Sequence, residues 1–353
     1  MPVTTMRRAG LGLLLVTLVL AASSGPAGAD PARPTNYRSR ITSVEPPTPY
    51  VEVAVVGGDG FLEMTVEPGH EVVVEGYDGE PYLRFRADGT VQENQNSPAA
   101  YLNRNRYAGA EVPAAIQGDD RPPPAWKTVA HGGHHAWHDH RIHFMGKDPS
   151  VVAGLSEGRP VEWSGGVPFT VDGTPVVANG SYRLLDPPSP LPWIALTVVV
   201  TAAVVGAGRR RPVLVAGVAL LVGGVAALGV GWAQNAAIPE GAGATPLTVV
   251  LPAVAILTAL IAIARSSTPT GVIAALASAA TTGGWVLTRY AVFTKAVLPT
   301  DLSPGLDRAG TALALATAIG GAVLAVRSGG LSLPRPEPAA AGSGPAATAS
   351  PPA

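Results

Sequence analysis

The sequence predicts an all-β sandwich domain outside the membrane, followed by an α-helical membrane domain of about five spans. Three observations predict this fold class. Short alternating strand patterns fill the first half of the 353-residue chain, five apolar segments fill most of the second half, and an export signal precedes both. The composition agrees, because 47% of the residues are hydrophobic and only 14% are charged, against about a quarter in soluble domains.

Residues 1–29 have the features of a secretory signal peptide. Arg7 and Arg8 form a positively charged start, an apolar stretch follows them, and Ala27-Gly28-Ala29 is a small-residue cleavage site. The apolar stretch is short for a membrane-spanning helix, which needs about 20 residues. We therefore expect cleavage after Ala29 and export of the domain that follows.

An N-terminal linker, residues 30–49, leads into the predicted β-domain over residues 50–188. Apolar and polar residues alternate in strand-like stretches near 51–55, 62–66, 72–74, 82–85 and 91, and again between 161 and 185. Gly- and Pro-rich turns separate these stretches at regular spacing, which is typical of an immunoglobulin-like or cupredoxin-like sandwich. Residues 94–124 are polar, and we interpret them as an ordered connection whose asparagines cap its own turns, with a ligand-binding loop as the alternative.

Five apolar segments each have about the length of a membrane-spanning helix and form a membrane domain over residues 189–327. They are 191–208, 213–232, 246–264, 271–290 and 310–326. If the spans alternate, Arg209-Arg210-Arg211, Arg265 and Arg327 all fall on one side of the bilayer. Basic loops mark the cytoplasmic side, so the β-domain is expected on the opposite, extracytoplasmic side, as the export signal also predicts.

The tail, residues 328–353, is rich in Pro, Ala, Gly and Ser, and its only charges are Arg335 and Glu337. Such a segment cannot bury enough apolar surface to fold, so we predict a disordered cytoplasmic tail. The sequence thus predicts a multi-pass protein of the cell membrane with the lipid bilayer as a partner, its N-terminal domain outside and its C-terminus inside. It gives no indication of the oligomeric state.

Composition and motifs exclude several classes of function. The chain has no cysteine, which excludes disulfide frameworks, Cys-ligated zinc, iron–sulfur clusters and type-1 copper. Residues 30–190 carry 21 acidic and 13 basic side chains, a net charge of −8, which gives no basis for nucleic-acid binding. No nucleophile elbow, P-loop or dinucleotide motif is present. A non-catalytic role is therefore favoured over an enzyme, although a zinc hydrolase with Asp139 or Glu80 as general base stays open.

Six of the seven histidines lie within thirteen residues, from His131 to His143. Neutral imidazole is a common ligand of zinc and copper. A strand over residues 137–145 would place His138 and His140 on one face, where they can share an ion, and His143 on the other. A histidine from the Gly-containing start of this run could fold back as a third ligand.

The candidate metal ligands share nitrogen, carboxylate or thioether donor atoms. They are His138, His140, His143, His134, His131, His135, Asp139 and Met145. The predominance of nitrogen favours copper or zinc over iron, and the Met145 thioether suits Cu(I). Two alternatives stay open: a structural network, with an ion pair between Asp139 and Arg141, and a pH sensor built from imidazoles that titrate near neutrality.

Three stretches, Gly76–Phe85, Asn96–Tyr101 and Trp137–Met145, resemble those of a family of uncharacterised membrane-anchored secreted proteins from high-GC actinobacteria. This resemblance spans most of residues 50–190 and the helices after them, and it implies no particular activity. The arrangement is also similar to extracytoplasmic copper-binding proteins of the CopC type, in which a β-sandwich with His, Asp and Met ligands is sometimes fused to a membrane domain. That resemblance implies copper handling, although CopC-type proteins usually begin with a histidine where this chain would have Asp30.

We therefore predict a membrane-anchored, extracytoplasmic protein of the cell envelope that binds copper or zinc through its histidine cluster. The alternative is a non-catalytic binding or scaffold protein, in which the outer domain recognises another envelope protein and the histidines are structural. The apolar spans contain almost no ionisable residues, which argues against active transport and favours a membrane anchor.

Overall fold

The computed structural model describes residues 32–118, 122–239, 242 and 245–329. The predicted signal peptide, and the predicted tail from residue 330 onward, lie outside the described residues. Within these ranges the chain forms a domain of antiparallel β-sheets, followed by a bundle of apolar helices.

Eleven strands form the β-domain in the described part of the chain. They are β1 (Tyr37–Glu45), β2 (Val51–Val56), β3 (Phe61–Val66), β4 (Val72–Glu75), β5 (Pro81–Phe85), β6 (Val91–Asn94), β7 (Trp126–Ala130), β8 (His134–Trp137), β9 (Val161–Glu162), β10 (Val167–Val171) and β11 (Thr174–Leu184). A short helix, α1 (Ala99–Leu102), lies between β6 and β7. The larger sheet has the order β1-β11-β10-β4-β5-β6-β7, with β9 paired to β11, and the smaller sheet has the order β2-β3-β8.

The two sheets share one hydrophobic core. In β3 of the smaller sheet, Leu62, Met64 and Val66 are buried at alternate positions, as a half-buried strand requires. Trp137 of β8 lies opposite Leu62 in the antiparallel register and is buried in the same core. Residues of β4, β5 and β10 supply the facing layer. The β8 strand, and the histidine-rich segment after it, are therefore fixed to the core through Trp137.

The structure corrects the predicted linker over residues 30–49, because β1 occupies much of that range. This strand pairs with β11 along most of its length, with Tyr37 opposite Leu184. Its sequence lacks an apolar alternation, and Ser39 is buried instead, where its hydroxyl accepts a hydrogen bond from Trp163 Nε1 at 2.9 Å. Backbone pairing with a long neighbouring strand thus forms a strand that hydrophobic periodicity did not reveal.

Every predicted apolar segment is a helix. These helices are α2 (Leu191–Ala207), α3 (Pro212–Ala236), α4 (Leu247–Ala264), α5 (Pro269–Thr288) and α6 (Pro304–Arg327). Four of them, α3 to α6, are long and apolar enough to cross a membrane, and α2 is an apolar helix of 17 residues. Helix α6 begins six residues before the predicted 310 because Ser303 caps it and its first turns include the charged Asp307 and Arg308.

The β-domain contacts the segment between α5 and α6. Thr35 and Val297 exchange two backbone hydrogen bonds of 3.0 and 2.9 Å, and the Asn36 side chain accepts from Ala296 N at 2.9 Å. Gly58, in the β2–β3 turn, lies against Val297 so closely that a Cβ there would come within 2.6 Å of Val297 Cγ1. The same turn leads into the residues that pack against the histidine cluster.

Candidate metal centre

The histidine-rich segment is a strand followed by a tight turn, so the predicted strand over residues 137–145 is wrong. Strand β8 ends at Trp137, and His140–Ile142 forms a turn of 3₁₀ helix. The fully buried Asp139 ends the strand, because its Oδ1 accepts the backbone N–H of Arg141 at 3.0 Å. Arg141 also donates from its guanidinium to both carboxylate oxygens, at 2.9 and 2.8 Å, and Trp137 Nε1 donates to Oδ2 at 3.0 Å.

This turn brings His138, His140 and His143 together. Each offers one ring nitrogen, and these three nitrogens lie within 4.8 Å of one another. The ring centroids are 5.3 to 5.9 Å apart. Among the described His, Cys, Asp and Glu residues, this is the group with metal-like spacing. A regular strand would have kept His143 on the opposite face, so the turn is what completes the triad.

His138 is only 3% exposed. Its ring packs edge-on against Phe61 at 5.5 Å between centroids. Neither ring nitrogen has a hydrogen-bond partner among the described residues. The Gly60 backbone lies close enough to the His138 ring to favour its protonated form, but the two groups do not meet the geometry of a hydrogen bond. A buried imidazole with two unpartnered nitrogens is unusual, because buried polar groups are normally satisfied.

Backbone carbonyl groups orient the other two rings. His140 Nε2 lies 3.0 Å from the Asn105 oxygen, and His143 Nδ1 lies 3.4 Å from the Phe144 oxygen. A carbonyl oxygen only accepts, so each of these nitrogens must carry the ring proton. The lone pairs then reside on His140 Nδ1 and His143 Nε2, and the latter is buried without a partner among the described residues. Carbonyl-oriented imidazoles of this kind are typical of metal ligands.

The segment between β6 and β7 holds the Asn105 carbonyl in place. Asn105 Oδ1 accepts the backbone N–H groups of Tyr107 and Gly109 at 3.1 and 2.8 Å, and so caps its own turn. The Tyr77 hydroxyl donates to the Asn103 side chain and accepts the His140 backbone N–H at 2.9 Å. The interpretation of residues 94–124 as a connection with self-capping asparagines is confirmed at Asn105, and the same turn supports the triad.

Burial keeps the triad in its neutral, ligand-competent form. Burial, and next the nearby Arg106 cation, lower the pKa of His138 to about 4 and that of His143 to about 3. Burial also lowers the pKa of His140. Arg106 itself is held by the buried Asp59, which accepts both ends of its guanidinium, one at 3.1 Å. All three rings are therefore neutral at physiological pH and can donate lone pairs to a cation.

The other candidate ligands lie in different surroundings. His131 is exposed, and His134 Nε2 is 3.1 Å from Glu63 at the edge of the smaller sheet. His135 is buried beside Trp137, and burial lowers its pKa to about 4. Met145, the expected soft ligand, is 38% exposed. Of the eight predicted ligands, the structure gathers His138, His140 and His143 into the group, and Asp139 supports them through the turn rather than facing a shared ion.

Sequence reasoning missed four supporting residues, Asp59, Tyr77, Asn105 and Arg106. They come from three separate connections, β2–β3, β4–β5 and β6–β7, that only the tertiary fold brings beside the histidines, so no local spacing could reveal them. The polar, Asn-rich composition of the β6–β7 connection was the one available signal. Comparisons with protein-family models, with curated proteins and with solved structures found no match to this chain.

Proposed function

We propose that this protein is a membrane-anchored, extracytoplasmic metal-binding protein that holds a zinc or copper ion through His138, His140 and His143. Two observations together carry the proposal. Both ring nitrogens of His138 and Nε2 of His143 are buried without hydrogen-bond partners among the described residues, and one ring nitrogen from each member of the triad lies within 4.8 Å of the others. Leaving a buried polar group unsatisfied costs about 1–3 kcal/mol, and a bound cation would remove that cost.

The distances suit a single ion after a small closure. Zinc binds imidazole nitrogen at about 2.0–2.1 Å, so tetrahedral ligand atoms lie roughly 3.3 Å apart. Ring rotations that shift each nitrogen by about an ångström would bring atoms now within 4.8 Å to that spacing. Neutral imidazoles suit zinc and copper alike, so the ligand set supports either ion without choosing between them.

Three protein ligands leave a coordination position open, which is common to catalytic and to exchangeable zinc sites. A hydrolase would also need a general base beside the ion. Asp139, one of the two candidates for that role, has both oxygens engaged by Arg141 and Trp137. Glu80, the other, accepts from the Ser97 hydroxyl at 2.6 Å. These contacts favour binding or delivery of an ion over hydrolysis.

The membrane arrangement is part of the proposal. Two sheets around one core support a sandwich of the immunoglobulin-like or cupredoxin-like kind. Counting the 17-residue α2 as a fifth span would put the β-domain and the C-terminus on opposite sides of the membrane. The basic loops support the orientation with the β-domain outside and the C-terminus in the cytoplasm. With four spans, the β-domain and the C-terminus would lie on the same side of the membrane. A cytoplasm-dependent reporter fused after Arg335 is expected to be active, and activity of an export-dependent reporter there would overturn the five-span topology.

Calorimetric titration of the full-length protein in detergent tests the metal proposal. We expect one Zn(II) or Cu(II) per chain with a Kd below about 10 µM, a binding free energy of about −7 kcal/mol or stronger. His138→Ala, His140→Ala and His143→Ala should each abolish binding in this range. His131→Ala is the matched control and should bind as wild type does. Absence of binding of Zn(II), Cu(II) and Ni(II) below 10 µM would refute the proposal.

The second candidate is a scaffold protein of the envelope in which the histidines only stabilise the fold. The hydrogen bond of His140 to Asn105, and its stacking on Tyr77 at 5.7 Å, favour this reading for one member of the triad. The unpartnered nitrogens of His138 contribute no such bond. The two candidates differ in the metal-free protein, because a structural role requires that replacing His138 destabilises it.

A further inference from the structure

A cavity of about 530 Å³ opens at the end of the helical bundle far from the β-domain. It lies where the α2–α3 loop, the α4–α5 loop and Ser328, the first residue after α6, meet. The metal proposal does not involve this region, and the cavity is separated from the histidine triad by the length of the helices. It is large enough for the headgroup of a lipid together with its glycerol backbone.

The lining combines two kinds of surface. Side chains at the loops are cationic or hydroxylic, namely Arg210, Arg211, Ser266, Ser267 and Thr268. Toward the helices the lining is apolar, from Val213, Leu214 and Val272. A soluble anion would need only the cationic and hydroxylic side chains. An amphiphile at the membrane boundary would use both, because its charged group and its hydrocarbon would each meet matching residues.

The arginines at this end have no acidic partner in the described part of the chain. Arg209, Arg210, Arg211, Arg265 and Arg327 cluster here, and none of them forms an ion pair with a described residue. Arginine binds phosphate through two parallel hydrogen bonds, which makes it a preferred phosphate ligand. Arg210 and Arg211 line the cavity, so an anion bound there would lie beside two of these five unpaired charges.

Two helix starts add to this positive field. Helices α3 and α5 begin at Pro212 and Pro269, both of which line the cavity, and neither helix has a side-chain cap at its N-terminus. The Thr268 hydroxyl donates instead to the Arg265 carbonyl at 2.8 Å. Uncapped N–H groups favour an anion, and they reinforce the attraction that the arginines already supply.

We propose that this cavity binds the phosphate-bearing headgroup of an anionic phospholipid. Arg210 and Arg211 contact the phosphate. The hydroxyl groups of the α4–α5 loop form hydrogen bonds with the headgroup, and the apolar lining contacts the start of the acyl chains. The bound lipid would join three separate segments of the bundle at one membrane boundary, and so stabilise the anchor.

Native mass spectrometry of the full-length protein, released from a neutral detergent, tests this proposal. Phosphatidylglycerol is added in one arm, phosphatidylcholine in a second, and phosphatidylglycerol with excess inorganic phosphate in a third. We expect one phosphatidylglycerol to be retained at least tenfold more tightly than phosphatidylcholine, and to resist millimolar phosphate. Equal retention of the two lipids, or displacement by phosphate, would overturn the assignment to an anionic lipid.

Matched variants separate a built site from general surface charge. R210Q/R211Q removes two charges from the cavity, whereas R209Q/R265Q removes two charges from the same end of the bundle but outside its lining. We expect at least a tenfold loss of phosphatidylglycerol retention in the first and less than a twofold loss in the second. Ser267→Phe fills the cavity without a charge change and should also lose retention. Equal losses in the two double variants, or full retention in Ser267→Phe, would refute the site.

Discussion

Replacing His138 with leucine separates a metal site from a structural histidine. The side chain is 3% exposed, packs against Phe61 and has no hydrogen-bond partner among the described residues for either ring nitrogen. Leucine has a similar volume and no polar atom. Relieving an unsatisfied buried polar group yields about 1–3 kcal/mol, and loss of the aromatic contact costs about 0.5–1.5 kcal/mol. The central values of these two ranges leave a gain, so we expect the metal-free His138→Leu variant to be more stable than wild type by about 1 kcal/mol.

The measurement is thermal unfolding of the full-length protein, followed by the fluorescence of tryptophans such as the adjacent Trp137. For a domain of the size of this β-domain, 1 kcal/mol shifts Tm by about 2–4 °C, so we expect a rise in Tm of about 2–4 °C without metal. With zinc at 100 times Kd, the free energy of unfolding of wild type should rise by about 2.7 kcal/mol, and that of the variant should not change. His131→Leu, at an exposed position, is the control. It should change neither the metal-free Tm nor the stabilisation by zinc. A metal-free His138→Leu that unfolds below wild type would refute the reasoning, because His138 would then be structural.

Three further predictions follow from the surroundings of the triad. Asp139→Asn should destabilise the protein by about 3–5 kcal/mol in chemical denaturation, because it leaves a buried arginine unpaired, whereas Asp148→Asn, at an exposed turn that asparagine can also cap, should leave the denaturation midpoint close to that of wild type. Asn105→Ala should weaken zinc binding about tenfold in calorimetry, since the turn that presents its carbonyl to the triad loses two hydrogen bonds; unchanged affinity would contradict that supporting role. Stability of the metal-free protein should fall as the pH drops from about 6.5 to about 4, by about 1.4 kcal/mol per unit for each buried histidine, because the unfolded chain takes up protons that His138 and His143, with pKa values of about 4 and about 3, do not; denaturation midpoints that stay constant over this range would contradict it.

Local pattern was sufficient for most of the fold. The alternation around Val51–Val55 and Leu62–Val66 corresponds to β2 and β3, and the apolar segments correspond to α2 through α6. Strand β1 escaped prediction because its buried position is filled by Ser39, whose burial is satisfied by a tryptophan 124 residues away. A periodicity argument detects burial of apolar side chains and has no access to long-range hydrogen bonds.

For the candidate site, too, local sequence pattern predicted one part and tertiary contacts determined the rest. The density of histidines pointed to the segment that contains the triad, because ligand chemistry depends on residue type. The choice among those histidines depended on backbone direction, and the carboxylate of Asp139 bends the chain after Trp137 by accepting from Arg141. An Asp two residues before an Arg is compatible with both a strand and a capped turn. Burial of the ion pair, a tertiary property, decides between them.

The most direct test of the central claim is zinc-edge X-ray absorption on the full-length protein loaded with one equivalent of zinc. If the triad holds the ion, the wild-type spectrum shows three imidazole nitrogens at about 2.0–2.1 Å from zinc. The His138→Leu spectrum then shows fewer imidazole nitrogens bound to zinc. A first shell of oxygen atoms alone, or a wild-type spectrum that is unchanged in His138→Leu, would contradict the assignment of the metal to His138, His140 and His143.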